Sequence, residues 1–365
     1  MHYAENSLPN LIRALENLQR AMAWTKRDDN DDGSVEQALV AAARSARTMA
    51  LLSDHFVIAI AGKQGAGKTT LLRNLYDLDG AWLDDNQGRG EVVPVLVVED
   101  HSVTKPQGML GEFDEKEGGA LKYVPVEPAA FRDATQLLTN LRNLHALPKL
   151  HVPSRYFAGN GYGFLLLPGY ETETEETREW QALMRIALTS SNRCILVTDS
   201  TALAGRNDEI LGDLHDESVH TAHPLVAISK TERMPDSDRE ALREVASKVF
   251  KVPVSACICT GDGADFIGQW REVLINQLGR HTGGSWGTLD RARGEMKTFN
   301  RQVRAVTTRA RKVLAEDRQA HPVDQSAYDD FEALLRKNVD NVKDRYRTQM
   351  VKCFDDIAGK AIAEA

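Results

Sequence analysis

Apolar side chains follow two different periods along the chain. In residues 1–54 and 286–365 they recur at every third or fourth position, which predicts amphipathic helices. Between residues 55 and 280, short apolar runs alternate with helical patterns, and this alternation predicts a mainly parallel sheet with helices on both faces. We therefore expect an α/β domain at 55–280 and an all-α bundle built from the N-terminal and C-terminal helices.

Several runs of the α/β region are short enough to be strands. They cover residues 56–61, 92–98, 121–126, 151–156, 163–167, 194–198, 224–228 and 252–258. Helical patterns between and after them predict helices at 128–147, 175–189, 207–216, 237–250 and 264–278. Pro94 lacks a backbone N–H, so we expect the second of these strands at an edge of the sheet. Residues 101–120 are polar and glycine-rich, which favours a mobile loop. The strands at 151–156 and 163–167 are expected to form a hairpin.

Composition narrows the classes of function. The formal net charge of −8 argues against a dedicated nucleic-acid binder. The four cysteines lack the spacing of zinc ligands, and Cys257 and Cys259 most simply contribute two small apolar side chains to one strand. No apolar run is long enough to span a bilayer, and residues 1–6 do not resemble a secretory leader. We expect a soluble, cytoplasmic protein that binds no nucleic acid.

Glycines interrupt the chain directly after the first predicted strand. Gly62, Gly67, Lys68 and Thr69 fit the spacing G-x-x-x-x-G-K-[ST] of a phosphate-binding loop, and a helical pattern follows them. Such a loop wraps backbone N–H groups around phosphate oxygens, so side chains at the two glycines would be in the way. The lysine supplies charge to the phosphates, the threonine hydroxyl binds Mg²⁺, and the helix N-terminus adds a favourable dipole. These residues predict nucleoside phosphate binding with Mg²⁺; the alternative is a glycine-rich turn without a ligand.

Further segments follow this loop in an order that is typical of one family. They are Gly88-Arg89-Gly90-Glu91-Val92-Val93-Pro94-Val95, Leu167-Pro168-Gly169, Ser229-Lys230-Thr231-Glu232 and Thr260-Gly261-Asp262-Gly263. Over about residues 55–280 the chain resembles the dynamin-like GTPases, a family of phosphate-loop GTPases. The flanking helices match the helical bundle of that family in outline only.

The resemblance implies a set of site residues. The loop residues that would bind the phosphates of GTP or GDP are Gly62, Gln64, Gly65, Ala66, Gly67, Lys68, Thr69 and Thr70, with Thr69 as the Mg²⁺ ligand. Lys68 and Gln64 would contribute to catalysis. Gly169 would contact the γ-phosphate through its N–H, Lys230 would cover the guanine base, and Glu232 would accept hydrogen bonds from guanine N1–H and N2–H₂. Residues 84–91 and 170–177 would be the nucleotide-sensitive switches.

Three departures from the family pattern bear on hydrolysis. Family members usually carry serine where this chain has Gly65, and aspartate where it has Leu166. No serine or threonine lies between Thr70 and Ser102 to supply the switch hydroxyl that reaches Mg²⁺. Phosphoryl transfer depends almost entirely on positioning and electrostatics, and the loss of one stabilising group costs on the order of a hundredfold or more in rate. We therefore expect GTP binding with slow or partner-dependent hydrolysis.

Two other functions remain open at this point. Asp199 follows an apolar strand and would be the metal-site acid of a phosphate-loop ATPase, whereas a chain without hydrolysis would be a nucleotide-stabilised scaffold. In each case the terminal helices would bind a protein partner or a second copy of the chain. The basic segment at 291–318 is either a solvated helix face or a peripheral membrane contact.

Overall fold

The chain divides into two compact units, one formed by Asp54–Arg291 and one by Met1–Ser53 together with Ala292–Ala365. The computed structural model describes residues 48, 51–52, 55–83, 93–114, 120–136, 147–157, 162–169, 184–185, 187–188, 190–201, 203, 224–279, 308, 312, 315, 333, 336–337 and 340. Only isolated positions of the second unit are among them. The all-α bundle expected from the terminal helices therefore stays a prediction, as do the boundaries of the domains.

A nine-stranded sheet runs through the described part of the first unit. Its strands are β1 (Phe56–Gly62), β2 (Val95–Asp100), β3 (Gln107–Asp114), β4 (Ala120–Val126), β5 (Lys149–Pro153), β6 (Tyr162–Leu166), β7 (Arg193–Asp199), β8 (Leu225–Ser229) and β9 (Cys257–Cys259). They lie side by side in the order β4-β3-β5-β2-β6-β1-β7-β8-β9. Strands β6, β1, β7, β8 and β9 run parallel to one another, as do β2 and β5, while β2 against β6 and the pairs of β3 are antiparallel. The expectation of a mainly parallel sheet is confirmed.

Helices follow β1, β4, β8 and β9 along the chain. Those described in full are α1 (Lys68–Tyr76), α2 (Pro128–Gln136), α3 (Asp236–Phe250) and α4 (Ala264–Gly279). The helices predicted at 237–250 and 264–278 are confirmed, and α2 is the first part of the helix predicted at 128–147. Those predicted at 175–189 and 207–216 lie largely or wholly outside the described residues.

The core explains why the central strands can be recognised from the sequence. In β1 every residue from Val57 to Gly62 is buried, and in β8 all five residues are. A strand that is covered on both faces reads as a continuous apolar run, because both alternating sets of side chains leave water. Ile60 of β1 and Leu72 of α1 belong to the same apolar core.

The position of β2 corrects two expectations. Strand β2 lies between β5 and β6, so it is not an edge strand. Pro94 precedes the first strand residue, Val95, and its missing N–H therefore removes no hydrogen bond from the ladder. The predicted hairpin of 151–156 with 163–167 is also wrong, because β2 pairs with both strands and separates them.

Two further segments differ from expectation. The loop predicted at 101–120 contains β3, which pairs with β4 in a seven-residue antiparallel register from Gly108↔Val126 to Asp114↔Ala120. A Cβ at Gly108 would come within 2.6 Å of Trp82 and 2.7 Å of Phe131, so this glycine serves packing. The strand predicted at 252–258 is shorter, since Val254–Ala256 forms a 3₁₀ turn before β9.

The three described cysteines lie in the apolar interior of the sheet. Cys194, Cys257 and Cys259 are buried free thiols, as expected from their strands. Burial raises the pKa of Cys194 to about 12 and that of Cys257 to about 11, so neither forms a reactive thiolate near neutral pH. Within the described residues, no helix combines the length and the apolar character that a membrane crossing needs.

Candidate nucleotide-binding site

The loop between β1 and α1 has a backbone shape that depends on its glycines. Gly65 (φ 72°) and Gly67 (φ 89°) adopt left-handed conformations, which residues with a Cβ rarely do. Gly62 is needed for space, because a Cβ there would run into the carbonyl of Val197 on β7. The spacing that suggested a phosphate loop thus corresponds to a backbone that folds tightly against the sheet.

The N-terminus of α1 faces this loop without a side-chain cap. Gly67 occupies the N-cap position, and the first turn of α1 carries no acidic residue. The N–H groups of a helix's first turn point out of its N-terminus, and together with the helix dipole they favour an anion there. The turn itself is closed by a hydrogen bond from the Ala66 N–H to the Lys63 carbonyl at 3.2 Å.

Lys68 brings its positive charge to the same loop. Its side chain is buried, with a relative exposure of 7% for the residue. The ammonium Nζ donates hydrogen bonds to the carbonyls of Gly62 at 3.0 Å and Lys63 at 2.9 Å. A buried ammonium is costly unless it is hydrogen-bonded, and these two carbonyls hold the charge at the loop.

The donor set of the loop fits Mg²⁺ only together with a phosphate ligand. Thr69 and Thr70, the second and third residues of α1, are half-buried, and Gln64 is exposed. Among the described residues, no group of three or more histidine, cysteine or acidic side chains could hold a metal ion. Mg²⁺ in phosphate sites takes one or two protein ligands and completes its octahedron with phosphate oxygens and water. The Thr69 hydroxyl is suited to be such a ligand for a metal ion that arrives with a nucleotide.

The segment after β6 makes a close backbone approach to the loop. A Cβ at Gly169 would lie 2.6 Å from Cα and 2.7 Å from N of Gln64, so only glycine fits there. Leu167 fixes the start of this segment, because its N–H donates to the Ile60 carbonyl at 3.1 Å. Leu166, the position compared with an aspartate of the dynamin-like GTPases, is completely buried in the apolar core. It therefore offers no oxygen to a metal-bound water.

The end of β8 is tied to the loop by a hydroxyl group. Ser229 Oγ donates to the Ala66 carbonyl at 2.7 Å, and the Thr198 carbonyl lies 3.2 Å from the same oxygen. A Cβ at Gly67 would come within 3.2 Å of the Ser229 Cβ, so loop and strand are in contact. The segment that was aligned with the guanine-reading tetrad therefore begins directly beside the phosphate loop.

Lys230 and Asp199 form an ion pair next to this contact. Lys230 has a left-handed backbone (φ 60°), and its Nζ donates to Asp199 Oδ2. Asp199 also accepts hydrogen bonds from the N–H and the hydroxyl of Thr201, at 2.8 and 2.7 Å. Burial acts to raise the pKa of Asp199, but the hydrogen bonds from Lys230 and Thr201 outweigh it and lower that pKa. The carboxylate that the ATPase hypothesis assigns to a metal is thus engaged by a lysine and a threonine.

Glu232 carries a buried oxygen that lacks a partner. Its Oε2 is inaccessible to water and makes no hydrogen bond within the described part of the chain. This oxygen lies against Gly261, in the loop after β9 that was compared with the base-contacting loop of the family. An unsatisfied buried carboxylate oxygen is costly, and in native proteins such an atom calls for a ligand, a water molecule or a functional explanation.

Sequence reasoning missed the residues that hold Glu232 in place. Arg239 on α3 donates to the carbonyls of Thr231 at 3.1 Å and Glu232 at 3.2 Å. Its guanidinium carbon lies 4.1 Å from the ring centroid of Phe266 on α4. An arginine near the start of a predicted helix carries no pattern that would have identified this role.

The structure brings most of the predicted site residues to one end of the parallel strands, where nucleotides bind in open α/β sheets. The residues of the loop, Gly169, Lys230 and Glu232 all follow β1, β6 or β8 directly. The predicted switches at 84–91 and 170–177 lie outside the described residues.

Comparisons with known proteins give only distant similarity. No family model matches the chain, and no curated protein matches it. Two solved structures of an oligomerised bacterial dynamin pair, described as a mechanism for long-range sensing and tethering of membranes, are 14% and 13% identical. Each alignment covers 98% of this chain but 53% and 54% of those chains, with a TM-score of 0.39 in both cases.

A bacterial selenocysteine-specific elongation factor, EF-Sec, is similar at 12% identity over 62% of this chain and 28% of its own, with a TM-score of 0.32. The chain spans about half the length of the two dynamin chains. Likeness at these TM-scores carries no argument by itself, so the interpretation of the site rests on its own geometry.

Proposed function

We propose that the chain is a GTP-binding protein whose hydrolysis is slow or depends on a partner. Guanine recognition rests on one observation: the half-buried Glu232 stands after β8 beside Gly261, and one of its carboxylate oxygens has no hydrogen-bond partner in the described part of the chain. Guanine offers two adjacent donors, N1–H and N2–H₂, to a carboxylate, whereas adenine presents an unprotonated N1 that would repel it. Glu232 therefore favours a guanine base.

The phosphate loop supports the other half of the proposal. Lys68 provides a held positive charge, Thr69 a hydroxyl for Mg²⁺, and the uncapped N-terminus of α1 a favourable field for phosphates. Magnesium would neutralise charge on the β- and γ-phosphates when it is bound with the nucleotide. The groups proposed to bind the phosphates thus lie at the start of α1, directly after the loop that follows β1.

Slow hydrolysis is supported by the residues Gly65 and Leu166, neither of which has a polar side chain. Gly65 has no side chain to stabilise charge in the transition state, and Leu166 has a buried hydrocarbon in place of a carboxylate. A second copy of the chain or another protein would supply the missing groups in trans. We propose that the nucleotide state controls such docking through the helices of residues 1–54 and 286–365.

Isothermal titration calorimetry with GDP, GTP, ADP and ATP, with and without Mg²⁺, tests this proposal. The wild-type protein is expected to bind GDP about tenfold or more tightly than ADP, because a charged acceptor contributes roughly 1.5–3 kcal/mol to a hydrogen bond. Lys68→Ala should weaken GDP and GTP binding by about tenfold to a hundredfold, since it removes a charge-assisted contact. Lys248→Ala, at an exposed position of α3, is the matched control for loss of a positive charge.

Glu232→Gln separates guanine reading from phosphate binding. Glutamine has the same length, but its NH₂ is a donor where guanine also presents donors. The variant is expected to lose GDP affinity and to gain affinity for xanthosine diphosphate, whose ring has a carbonyl at C2. Equal affinity of the wild type for GDP and ADP would rule out the guanine assignment.

Phosphate release measured over a range of protein concentrations tests the statement on hydrolysis. We expect slow turnover that is abolished by Lys68→Ala, and a rate per molecule that rises with concentration if a second copy supplies groups. Fast turnover in dilute protein would contradict the role given to Gly65 and Leu166. Asp199→Ala is the test of the ATPase hypothesis, which requires loss of ATP turnover in that variant.

A further inference from the structure

The loop after β9 packs closely against Glu232. In the loop after β9, Gly261 lies with its Cα against the Glu232 side chain. A Cβ at Gly261 would lie 2.9 Å from the Glu232 backbone N, 3.0 Å from its Cβ, and closer still to its Oε2. Contacts of 3.0 Å or less force a displacement, because ordinary van der Waals contact between such atoms begins at about 3.5 Å.

Gly261 cannot move away to make room. Its carbonyl accepts a hydrogen bond from Nε1 of the buried Trp270 at 3.0 Å. The preceding residue, Thr260, donates its N–H to the Ile228 carbonyl at 2.7 Å. Its own carbonyl accepts hydrogen bonds from the Thr231 N–H at 3.2 Å and the Thr231 hydroxyl at 3.0 Å.

The backbone conformation does not explain this glycine. Gly261 is not among the residues with positive φ, so another amino acid would adopt its conformation without strain. What excludes a side chain is Glu232: its Oε2 is the atom nearest to the added Cβ, and its backbone N and Cβ follow. Glutamate extends one methylene further than aspartate, and the missing Cβ at Gly261 leaves the volume that this longer side chain occupies.

We propose that Glu232 and Gly261 form a size-matched pair that sets base specificity, in which the glycine holds open the space for the base-reading carboxylate. The inference rests on the proposed function, and it adds Gly261 as a specificity-determining residue that acts through the position of the Glu232 oxygen. An alanine at 261 displaces the oxygen from the donors of guanine. A shorter acid at 232 removes the collision with the carboxylate, while the close contacts with the backbone N and the Cβ of residue 232 remain.

A double-mutant cycle of Gly261→Ala and Glu232→Asp tests the pair, with GDP and ADP affinity from calorimetry. Gly261→Ala alone is expected to weaken GDP binding by about tenfold or more, the effect of one lost charged hydrogen bond. Glu232→Asp in the same chain should recover part of the affinity. The fold-loss of GDP affinity in the double variant should therefore be smaller than the product of the fold-losses in the two single variants. Tripolyphosphate binding should be unchanged in all of them, because the phosphate loop is untouched.

Gly263→Ala is the matched control in the same loop. A Cβ there would be 3.9 Å from Phe266 and 4.0 Å from Glu232, which are ordinary contacts, so GDP affinity should stay at the wild-type value. An equal loss in Gly263→Ala and Gly261→Ala would overturn the proposal, since it would indicate a general disturbance of the loop.

Thermal unfolding of the same proteins covers the case of a poorly folded variant. Gly261→Ala should lower the unfolding midpoint, and the added Glu232→Asp should restore part of it; no restoration overturns the pair. A wild-type protein that prefers GDP, together with a Gly261→Ala variant that binds GDP equally well, would overturn this inference alone. A wild-type protein without a preference for GDP would overturn the proposed function as well.

Discussion

Gly169→Ala is the substitution that best tests how the phosphate loop is held. The new Cβ would lie 2.6 Å from Cα, 2.7 Å from N and 2.8 Å from Cβ of Gln64. To restore ordinary contact, the two backbones must separate by about 0.8 Å. The backbone atoms on the Gln64 side are part of the loop itself, so no side-chain rotation relieves the collision.

The cost follows from what anchors the loop on the other side. A shift of this size would stretch the hydrogen bonds from Lys68 to the Lys63 carbonyl at 2.9 Å and from Ser229 to the Ala66 carbonyl at 2.7 Å. Overpacking costs about 1–3 kcal/mol, and a buried carbonyl that loses its partner costs a similar amount. We expect the free energy of unfolding to fall by about 2–4 kcal/mol and GDP affinity to fall by about tenfold to a hundredfold.

Urea unfolding and calorimetry with GDP measure both quantities. Gly268→Ala on α4 is the control, because a Cβ there meets nothing within 4 Å and alanine is the better helix former by about 0.5–1 kcal/mol. The control should therefore be as stable as the wild type or more stable, with the same affinity for GDP. Wild-type stability and affinity in Gly169→Ala would refute the close approach of the two segments.

Three other expectations concern single groups. Ser229→Ala should lower the free energy of unfolding by about 1–3 kcal/mol in urea titrations, because the buried Ala66 carbonyl loses its donor at 2.7 Å. The pKa of Asp100 is lowered from 3.8 to about 2, chiefly by hydrogen bonds from Ser102, so its stabilisation is present above pH 3.8 and is lost as the pH falls through about 2. Asp100→Asn should therefore be less stable than the wild type at pH 7, with the difference closing towards pH 2 in the same assay. Cys194, whose pKa burial raises to about 12, should resist iodoacetamide at pH 8 in the folded protein and react after unfolding, as mass spectrometry would show.

Local patterns made the glycine-containing loop between β1 and α1 predictable. Strand β1 is covered on both faces, so it appears in the sequence as an unbroken apolar run that ends at glycines. The conformations of Gly65 and Gly67 leave few alternatives to glycine, so the residue type itself reports the backbone. Sequence spacing and geometry express the same constraint here.

The order of the strands could not be obtained in the same way. Whether β2 lies at an edge or between β5 and β6 depends on pairings across more than 50 residues, which leave no local pattern. Pro94 was misleading because its effect depends on whether it stands inside the ladder or one residue before it. Gly108 was misleading for a related reason, since its space is taken by Trp82 and Phe131 from elsewhere in the chain.

The contacts that shape the base site are also non-local. The sequence does not show that Gly261 contacts Glu232, and the close approach becomes apparent only in the structure. Ser229 was aligned with the tetrad, but its hydrogen bond to the Ala66 carbonyl spans 163 positions and has no signature in the sequence. Residue types near strand ends suggested where a site lies. Which of these residues contact one another depends on the packing of distant segments.

Binding and hydrolysis draw on different parts of this arrangement. Ser229, at the end of β8, donates a hydrogen bond to the loop, and the Val197 carbonyl of β7 and Gly169 after β6 approach it closely. If the loop binds phosphates as proposed, contacts from these three segments would reduce the reorganisation that binding requires. Leu166 is fully buried and carries no oxygen that could hold a water molecule. Under the proposed function, affinity for the nucleotide would come from the loop and the segments that contact it, and the rate of turnover would depend on groups that another segment or another protein brings to the site.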